Sequence, residues 1–467
     1  MKDEVIINGK DNVGVRLTGN GEIPAGHKFA LKDIKKGEYV VKYGEIIGKA
    51  TADIKKGEWV HTHNLKSRLD ENAEYSYSPA FTAIGKRKET FLGYKRKNGR
   101  AGIRNDIYVI PTVGCVNNVC RRIERLSQKY ITGSIDGIFA LTHQFGCSQL
   151  GQDNDNIKKL LCAIALNPNA SFVLFVGLGC ENNGLDGIKE YLKPYGRDNI
   201  AYFNCQDVKD EIEYGLDIIR DFADKAKDFK RQTVDLSELC IGLKCGGSDG
   251  YSGLTANPLV GKISDRVVAA GGSAVLTEIP EMFGAEQLLM NKCKTREVFE
   301  KYRKTIAGFK NDYVRQGFPV YENPSPGNKK GGITTLEEKS LGCVEKAGKA
   351  EIVDVLEYGE IVGKQGVSVL SAPGNDLIAA TALAASGCQT VLFTTGRGTP
   401  FSTFVPTVKI ASNNALSDFK DNWIDFNAYP MDEEGLYDLL IKTANGEYRT
   451  KSEDIREIAF YKTGITL

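Results

Sequence analysis

Histidine is rare in this chain, and two of its four copies lie two residues apart in the stretch EWVHTHN, residues 58–64. On a strand, side chains two residues apart share a face, so His61 and His63 could converge on one cation. His27 of AGHKFA and Glu45 of KYGEIIG are further donors in this part of the chain. Exposed or core histidines are the competing interpretation, and the histidines alone leave both open.

Short polar clusters follow six apolar runs, at the points where strands would end. They are HQFGCSQ (143–149), GLGCENN (177–183), KCGGSDGYSG (244–253), EIPEMFGAE (278–286), SAPGND (371–376) and TTGRGTPFSTF (394–404). In open parallel sheets the ligand crevice lies outside the carboxyl ends of the strands. One such cluster alone can be a glycine-rich turn, but six with this polar content predict a binding site built from these loops.

The cluster KCGGSDGYSG is the most informative of the six. Its glycines permit positive φ angles and a close approach of the backbone to a ligand. Lys244, Ser248 and Asp249 supply a cation, a hydroxyl and a carboxylate. The P-loop spacing GxxxxGK[ST] is absent, and no GxGxxG follows a strand. A polar, anionic small molecule therefore fits this loop better than a dinucleotide.

Carboxylates and an arginine in two other clusters suit the same kind of ligand. Glu278 and Glu281 follow a predicted strand, where they either cap a helix or act as metal ligands or acid–base groups. Arg397 lies between two glycines and, like Lys244, can pair with a substrate carboxylate. For Arg397 the alternative is an ordinary solvated side chain.

The first part of the chain reads as a small all-β domain followed by a linker. The octapeptides DIKKGEYV (33–40) and DIKKGEWV (53–60) repeat a Lys-Lys-Gly turn before a strand, which predicts a β module over residues 1–70. Residues 71–92 are polar and aperiodic, as a linker is.

The rest of the chain has the pattern of an α/β region. From residue 93, short apolar runs alternate with segments of helical period such as 207–229, which predicts helices packed on a mainly parallel sheet. The pattern restarts near residue 331. Residues 331–467 are therefore either a second α/β lobe after a first lobe at 93–330, or the other half of one split domain.

Composition excludes several classes of function. The chain has 467 residues, enough for two or three domains, and 61 basic against 60 acidic side chains with no long like-charge block, so we expect no nucleic-acid partner. No apolar run reaches the roughly 18 residues that a membrane span needs. Eleven cysteines without an apolar leader indicate reduced thiols and a cytoplasmic protein.

Long stretches of the chain resemble one known family. They are GHKFAL, DIKKGEYVVKYGEIIGKAT, GEWVHTHN, FLGYKRKNGRAGIRN, THQFGCSQLGQD, GLGCENN, LKCGGSDGYSGLTANPLVG, TEIPEMFGAE, GNKKGGITTLEEKSLGC and SAPGND. Together, over about residues 5–412, they are similar to the altronate/galactarate dehydratase family. The resemblance implies an α/β fold class, with a small all-β domain of the SAF (β-clip) type before a large catalytic region.

The resemblance also implies an activity and a cofactor. The expected reaction is loss of water from a sugar acid, with altronate as the expected substrate, to give a 2-keto-3-deoxy acid. It implies a divalent metal, Fe²⁺ with Mn²⁺ as a possible substitute. A homodimer is plausible for this family, so we expect one.

We assign roles to the candidate residues on this basis. The metal ligands or their neighbours are His61, His63 and His27. The acid–base and orienting groups are His143, Lys244, Ser248, Asp249, Glu278 and Glu281. Substrate binding falls to Arg397, Asn375 and Asp376.

Other functions stay open at the level of sequence. Within the resemblance, a galactarate dehydratase and a sulfolactate sulfo-lyase are alternatives. An iron–sulfur dehydratase would use Cys115, Cys147, Cys180 or Cys245 as cluster ligands, although the tight cysteine spacing of cluster motifs is absent. A non-catalytic sugar-acid sensor is the alternative from outside enzymology.

Overall fold

The computed structural model of the chain describes residues 3–69, 74–97 and 99–466. An all-β amino-terminal module precedes an α/β region that contains two parallel sheets. The predicted fold class is therefore confirmed.

The amino-terminal module consists of two small antiparallel sheets with strand orders β1-β2-β3-β6 and β4-β5-β7. Its strands are β1 (Glu4–Val5), β2 (Val13–Arg16), β3 (Lys28–Ala30), β4 (Tyr39–Lys42), β5 (Glu45–Ala50), β6 (Trp59–Val60) and β7 (Leu65–Lys66).

The repeated octapeptides explain how the two halves of the module meet. Ile34 and Ile54, the same residue of each repeat, pair as an antiparallel bridge and are both buried. Asp53 accepts a hydrogen bond from the backbone N–H of Lys36 at 2.8 Å, and Asp33 accepts the matching bond from Lys56 at 2.9 Å. Each repeat thus holds the turn of the other.

The middle of the chain forms a four-stranded parallel sheet in the order β10-β9-β11-β12, with helices against it. An antiparallel pair of β8 and β13 lies beside it in the chain. The elements are β8 (Thr90–Gly93), β9 (Asp106–Pro111), α1 (Asn117–Ser127), β10 (Gly137–Ala140), α2 (Gly151–Ala165), β11 (Ala170–Gly177), α3 (Leu185–Leu192), β12 (Ile200–Asn204), α4 (Glu211–Ala226) and β13 (Gln232–Asp235).

The last part of the chain forms a seven-stranded parallel sheet in the order β16-β17-β15-β14-β18-β19-β20. Its strands are β14 (Cys240–Cys245), β15 (Ser273–Leu276), β16 (Ile352–Leu356), β17 (Gly366–Leu370), β18 (Thr390–Thr395), β19 (Thr407–Ala411) and β20 (Phe426–Asn427). Its helices are α5 (Ala256–Ala269), α6 (Glu286–Met290), α7 (Arg296–Arg315), α8 (Pro326–Lys330), α9 (Leu336–Val344), α10 (Asp376–Ala385), α11 (Asn414–Phe419) and α12 (Glu433–Asn445).

The central strands of this sheet are buried on both faces. Every residue of β14, β15, β17, β18 and β19 is buried, as expected for parallel strands covered by helices. Burial therefore extends to the polar side chain of Lys244 in β14. Within the described ranges, no helix is long and apolar enough to cross a membrane.

The sheets group the chain differently from the two predicted lobes. Strands from before and after residue 330 share the seven-stranded sheet. Residues 71–73 of the predicted linker lie outside the described residues, and β8 begins at Thr90, inside the predicted linker. The domain boundaries themselves stay a prediction.

Candidate active site

Three of the predicted loops meet at the carboxyl edge of the seven-stranded sheet. Because β17, β15 and β14 are parallel neighbours, the residues that follow them lie side by side. The buried Lys244 ammonium donates to Glu278 Oε1 at 2.5 Å and to Asp376 Oδ1 at 2.9 Å. The structure thus brings together three residues that the sequence assigned to one site.

Glu278 is the centre of this group. Its Oε2 accepts from the Cys245 backbone N–H at 2.9 Å and pairs with Lys346 Nζ at 3.1 Å. Burial raises the pKa of Glu278 to about 7, against the opposing effect of Lys244 and Lys346. Its backbone is left-handed, with φ of 74°, a conformation that non-glycine residues seldom adopt outside functional sites. Glu278 is therefore a carboxyl that can take up or release a proton near neutral pH.

Glu281 lies in a second ion pair of the same cluster. Lys339 Nζ is 2.8 Å from Glu281 Oε1, and the Cys343 thiol donates to Oε2 at 3.2 Å. Burial alone would raise the pKa of Glu281, but Lys339 and Lys244 bring it below its ordinary value. Glu281 therefore stays ionised while Glu278 titrates, and neighbouring carboxyls with separated pKa values can divide acid and base roles.

The GGSDG loop closes one side of the cluster. Ser248 Oγ lies 2.7 Å from Cys245 Sγ, and the Ser248 carbonyl accepts from Asn328 Nδ2 at 2.9 Å. Asp249 Oδ1 accepts from the Ser412 hydroxyl at 2.8 Å, and burial raises the pKa of Asp249. Since its Oδ2 is also taken, by Asn413 Nδ2 at 2.8 Å, Asp249 holds the loop in shape, and contact with substrate stays a prediction.

The amino-terminal module packs on the α/β region, beside the GGSDG loop and Lys339, through a buried charge triad. Lys28 and Lys42 of the module each donate to Glu338 of α9 at 2.8 Å, and all three side chains are buried. Between module and α/β region lies an enclosed cavity of about 10 Å³, room for a single water. It is lined by Lys42, Ser248, Asp249, Glu338 and Lys339 among others.

The histidines do not take the predicted arrangement. Strand β6 ends at Val60, and His61 begins a turn in which the backbone N–H groups of Asn64 and Leu65 donate to its carbonyl. The argument that His61 and His63 share a strand face is therefore wrong. His63 is exposed, whereas the rings of His27 and His61 lie 5.1 Å apart.

The donor atoms of the histidines do not fit a three-ligand metal site. His27 Nδ1 accepts from the Trp59 indole at 3.2 Å and its Nε2 faces the Lys330 carbonyl at 3.3 Å, so both nitrogens are occupied. His61 Nδ1 lies 3.2 Å from the Thr334 hydroxyl, and burial, followed by Lys28, lowers the pKa of His61 to about 4, which keeps the ring in the neutral form that metals require. Over the described parts of the chain, no three His, Cys, Asp or Glu side chains are placed so that they could hold a metal ion.

His143 lies outside the Lys244–Glu278 cluster, in the loop after β10. Its Nε2 donates to the Pro111 carbonyl at 2.8 Å, and its Nδ1 accepts from the Phe145 backbone N–H at 3.2 Å. Burial lowers the pKa of His143 to about 4. With both nitrogens bound to backbone, its predicted part in proton transfer has no support from these contacts.

The two remaining substrate-binding candidates border the cluster at the surface. Asn375 is exposed and caps α10, its side chain accepting from the Ile378 N–H at 3.1 Å. Arg397 is exposed and packs on Gly247 so closely that a Cβ on Gly247 would lie 2.9 Å from the Cβ of Arg397. Both can be reached from solvent, and their contact with substrate stays a prediction.

Comparison with known proteins gives matches along almost the whole chain. Three family models match in succession: the altronate/galactarate dehydratase SAF domain over residues 2–68, the second domain of D-galactarate dehydratase/altronate hydrolase over 93–227, and the C-terminal domain of D-galactarate/altronate dehydratase over 236–466. The altronate dehydratase of Bacillus subtilis is 49% identical over 97% of this chain and 94% of its own length. The chain belongs to the altronate/galactarate dehydratase family.

Two further relatives show the range of named substrates in this family. The altronate dehydratase of Escherichia coli is 47% identical over 98% of this chain and 94% of its own. The galactarate dehydratase (L-threo-forming) of the same organism is 30% identical over 96% and 94%. The resemblance read from the sequence is thus confirmed, and the chain is an enzyme of the hydro-lyase class that acts on a sugar acid.

The cysteines considered for an iron–sulfur cluster do not form one group in this dehydratase. Cys115, Cys147 and Cys180 are exposed on neighbouring loops after β9, β10 and β11. Cys245 is buried in the other parallel sheet, beside Glu278. The four thiols therefore belong to two separate places in the fold.

Sequence reasoning missed the lysines that complete the cluster. Lys339 was present only inside a family motif, without a role, and Lys346 lies three residues beyond the end of that motif. With Cys343 they lie at spacings of four and three residues along α9 and the turn after it, so all three share one helical face. Polar side chains repeated at helical spacing among apolar neighbours were the signal in the sequence that could have identified these residues.

Proposed function

We propose that this dehydratase removes water from D-altronate and yields 2-dehydro-3-deoxy-D-gluconate, as a step of hexuronate catabolism. The observation that carries the proposal is the likeness, over nearly the full length of both chains, to two proteins named altronate dehydratase at 49% and 47% identity. The identity to the galactarate dehydratase is only 30%, so galactarate is less well supported as the substrate.

The charges of the buried cluster suit this reaction. The proton that leaves C2 lies next to a carboxylate, so the intermediate carries two negative charges, and preorganised cations stabilise such a species. Lys244, Lys339 and Lys346 provide three ammonium groups, all buried. In our proposal they face the carboxylate and the developing enolate.

Proton transfer falls to two residues of the cluster in this proposal. Glu278, whose pKa burial raises to about 7, takes the C2 proton, because a base is most effective when its pKa lies near the working pH. Lys339 protonates the C3 hydroxyl as it leaves. Burial would lower the pKa of Lys339, but Glu281 raises it, so the Lys339 side chain is protonated at neutral pH.

Substrate entry requires that the enclosed cavity open. A volume of about 10 Å³ holds one water and not a six-carbon acid. The wall on one side is the amino-terminal module, which contacts the α/β region through Lys28, Lys42 and the loop at Gly26. We propose that the module moves away to admit the acid and closes over it, which also excludes water from the enolate.

A metal requirement stays a prediction. Fe²⁺, with Mn²⁺ as a substitute, is implied by the family resemblance, yet the nitrogens of His27, His61 and His63 as placed do not fit a three-ligand site. None of the steps above therefore passes through a metal. A homodimer is likewise a prediction.

One assay tests the substrate and the residues together. The protein, loaded with Fe²⁺ under anaerobic conditions, is incubated separately with altronate, galactarate, mannonate and sulfolactate, and keto-acid formation is followed. We expect keto acid from altronate alone, and its absence with altronate would overturn the proposal. Lys339→Met should abolish it, while the matched control Lys330→Met, at the exposed end of α8, should leave it unchanged.

The alternative functions give distinct outcomes in the same assay. Keto acid from galactarate alone would make the chain a galactarate dehydratase, and release of sulfite from sulfolactate would make it a sulfo-lyase. Acid binding without turnover would favour a sensor. Brown colour with acid-labile sulfide in the purified protein would favour the iron–sulfur enzyme.

A further inference from the structure

A strongly cationic groove lies at the amino edge of the four-stranded sheet, in a different part of the fold from the dehydratase cluster. Its volume is about 430 Å³. The charged side chains that line it are five cations and one carboxylate: Lys95, Arg96, Lys97, Arg197, Lys225 and Asp198. For a chain whose net charge is only +1, this is a pronounced local excess of positive charge.

Two of these cations are half-buried guanidinium groups whose partners are neutral. Arg96 donates to the Pro168 carbonyl at 2.8 Å, and Arg197 donates to the Leu166 carbonyl at 2.9 Å. Across the part of the chain that the structure describes, no carboxylate lies within ion-pair distance of either group or of Lys95. Lys97 and Lys225 do have carboxylate partners, Asp198 at 2.6 Å and Asp221 at 2.5 Å.

The surroundings of both guanidinium groups disfavour their positive charge. Burial lowers the pKa of Arg96 to about 10, against the opposing effect of Asp106, and the charge of Arg197 adds to the lowering. Burial lowers the pKa of Arg197 as well, and its Nε is buried without a hydrogen-bond partner. An anion in the groove would place negative charge beside both guanidinium groups, and phosphate oxygens are well suited to pair with arginine and lysine.

One wall of the groove is aromatic. Phe229 is 37% exposed and stacks on Phe172 with ring centroids 6.1 Å apart. The Arg96 guanidinium lies 6.0 Å from the centre of the Phe229 ring. A ligand that carries an aromatic ring next to its anionic group can therefore stack on Phe229 while its charge meets the arginines.

We propose that this groove is a binding site for a small phosphate ester with an aromatic part, the chemistry of a nucleoside monophosphate. Ser171 and Asn199, at the amino ends of β11 and β12, add polar groups to the same lining. The site is independent of the proposed dehydration, because none of its residues belongs to the buried cluster.

Calorimetric titration of the full chain in phosphate-free buffer tests the site, with inorganic phosphate and adenosine monophosphate as separate probes. We expect both to bind, the monophosphate roughly tenfold more tightly because of ring stacking. Both should weaken as salt is raised. Arg197→Gln and Lys95→Gln should each weaken both probes by about tenfold, and the matched control Arg220→Gln, on the exposed face of α4, should not.

The outcomes separate cleanly. Lys95 is exposed, so its variant tests the charge of the groove even if Arg197→Gln disturbs the local fold. No heat with either probe, or the same affinity in wild type and Lys95→Gln, would overturn the site. Equal affinity for phosphate and the monophosphate would overturn the aromatic part of the assignment.

Discussion

Replacing Glu338 by glutamine should detach the amino-terminal module from the α/β region. Glu338 is buried and accepts hydrogen bonds from Lys28 at 2.8 Å, from Lys42 at 2.8 Å and from the Thr334 N–H at 2.9 Å. Glutamine keeps the shape but carries no charge, and its amide N–H₂ would face an ammonium. Two buried lysines would then lack a counter-charge.

The size of the stability loss in Glu338→Gln follows from the pKa of the Glu338 carboxyl. Burial alone would raise its pKa, but Lys28 and Lys42 lower the pKa of Glu338 from an ordinary value of 4.5 to about 2. A shift of this size corresponds to about 3 kcal/mol of stability from the ionised form. That agrees with the roughly 3–5 kcal/mol lost when one partner of a buried ion pair is removed. The docking equilibrium should therefore fall by more than about 100-fold.

Trp59 offers a direct readout of docking. The chain has two tryptophans, so a Trp423→Phe background leaves Trp59 as the one indole. The Trp59 ring stacks on His61 and donates a hydrogen bond to His27. These histidines contact Thr334 and Lys330 of the α/β region. Urea titration followed by Trp59 fluorescence should show the loss for Glu338→Gln. Glu22→Gln, an exposed change in the same module, is the matched control.

The pH dependence gives the strictest test. Because the folded-state pKa of Glu338 is depressed, its stabilisation is complete above about pH 4.5 and is lost as pH falls from 4.5 towards 2. Glu338→Gln should therefore differ most from wild type at pH 7 and progressively less below pH 4.5. A variant within about 0.5 kcal/mol of wild type at pH 7, or a difference that persists unchanged at pH 2, would refute the reasoning.

Three further perturbations test other parts of the structure. Glu278→Gln should lower kcat by about 10²–10⁴-fold. Wild-type kcat/KM should rise as pH increases through about 7, because the ionised form of Glu278 is the active base. A pH profile without that rise would exclude Glu278 as the base. Gly250→Ala should weaken docking of the module, because a Cβ at this position would lie 1.9 Å from the Gly26 carbonyl oxygen. Its control is Gly308→Ala in α7, where a Cβ would have nothing within 4 Å. Gly308→Ala should raise the free energy of unfolding by up to about 1 kcal/mol, measured by thermal unfolding. Because the histidine nitrogens do not fit a three-ligand site, the double variant His61→Ala, His63→Ala should keep the metal content of the wild type, measured by atomic absorption. Loss of metal would support the predicted role of these histidines as ligands.

The parts of the site that the sequence predicted are those set by sheet topology. Lys244, Glu278 and Asp376 end or follow apolar runs, and in a parallel sheet such residues gather at one edge whatever the loops do. The error over His61 is local: the Asn64 side chain accepts from the His61 N–H at 2.9 Å and turns the chain where alternation predicted a strand. Lys339 needed the packing of α9 on Glu281, 58 positions away, which no local pattern contains.

The charge triad ties catalytic competence to complete folding. Lys28 and Lys42 come from the amino-terminal module, and Glu338 comes from the α/β region, 310 and 296 positions later in the chain. The three charges are paired only when the two parts are joined. A chain whose module is misfolded or clipped would leave Glu338 unpaired and the wall of the cavity open to bulk water. In the proposed mechanism such a chain would expose the enolate to water, so we expect incomplete copies of this dehydratase to be inactive.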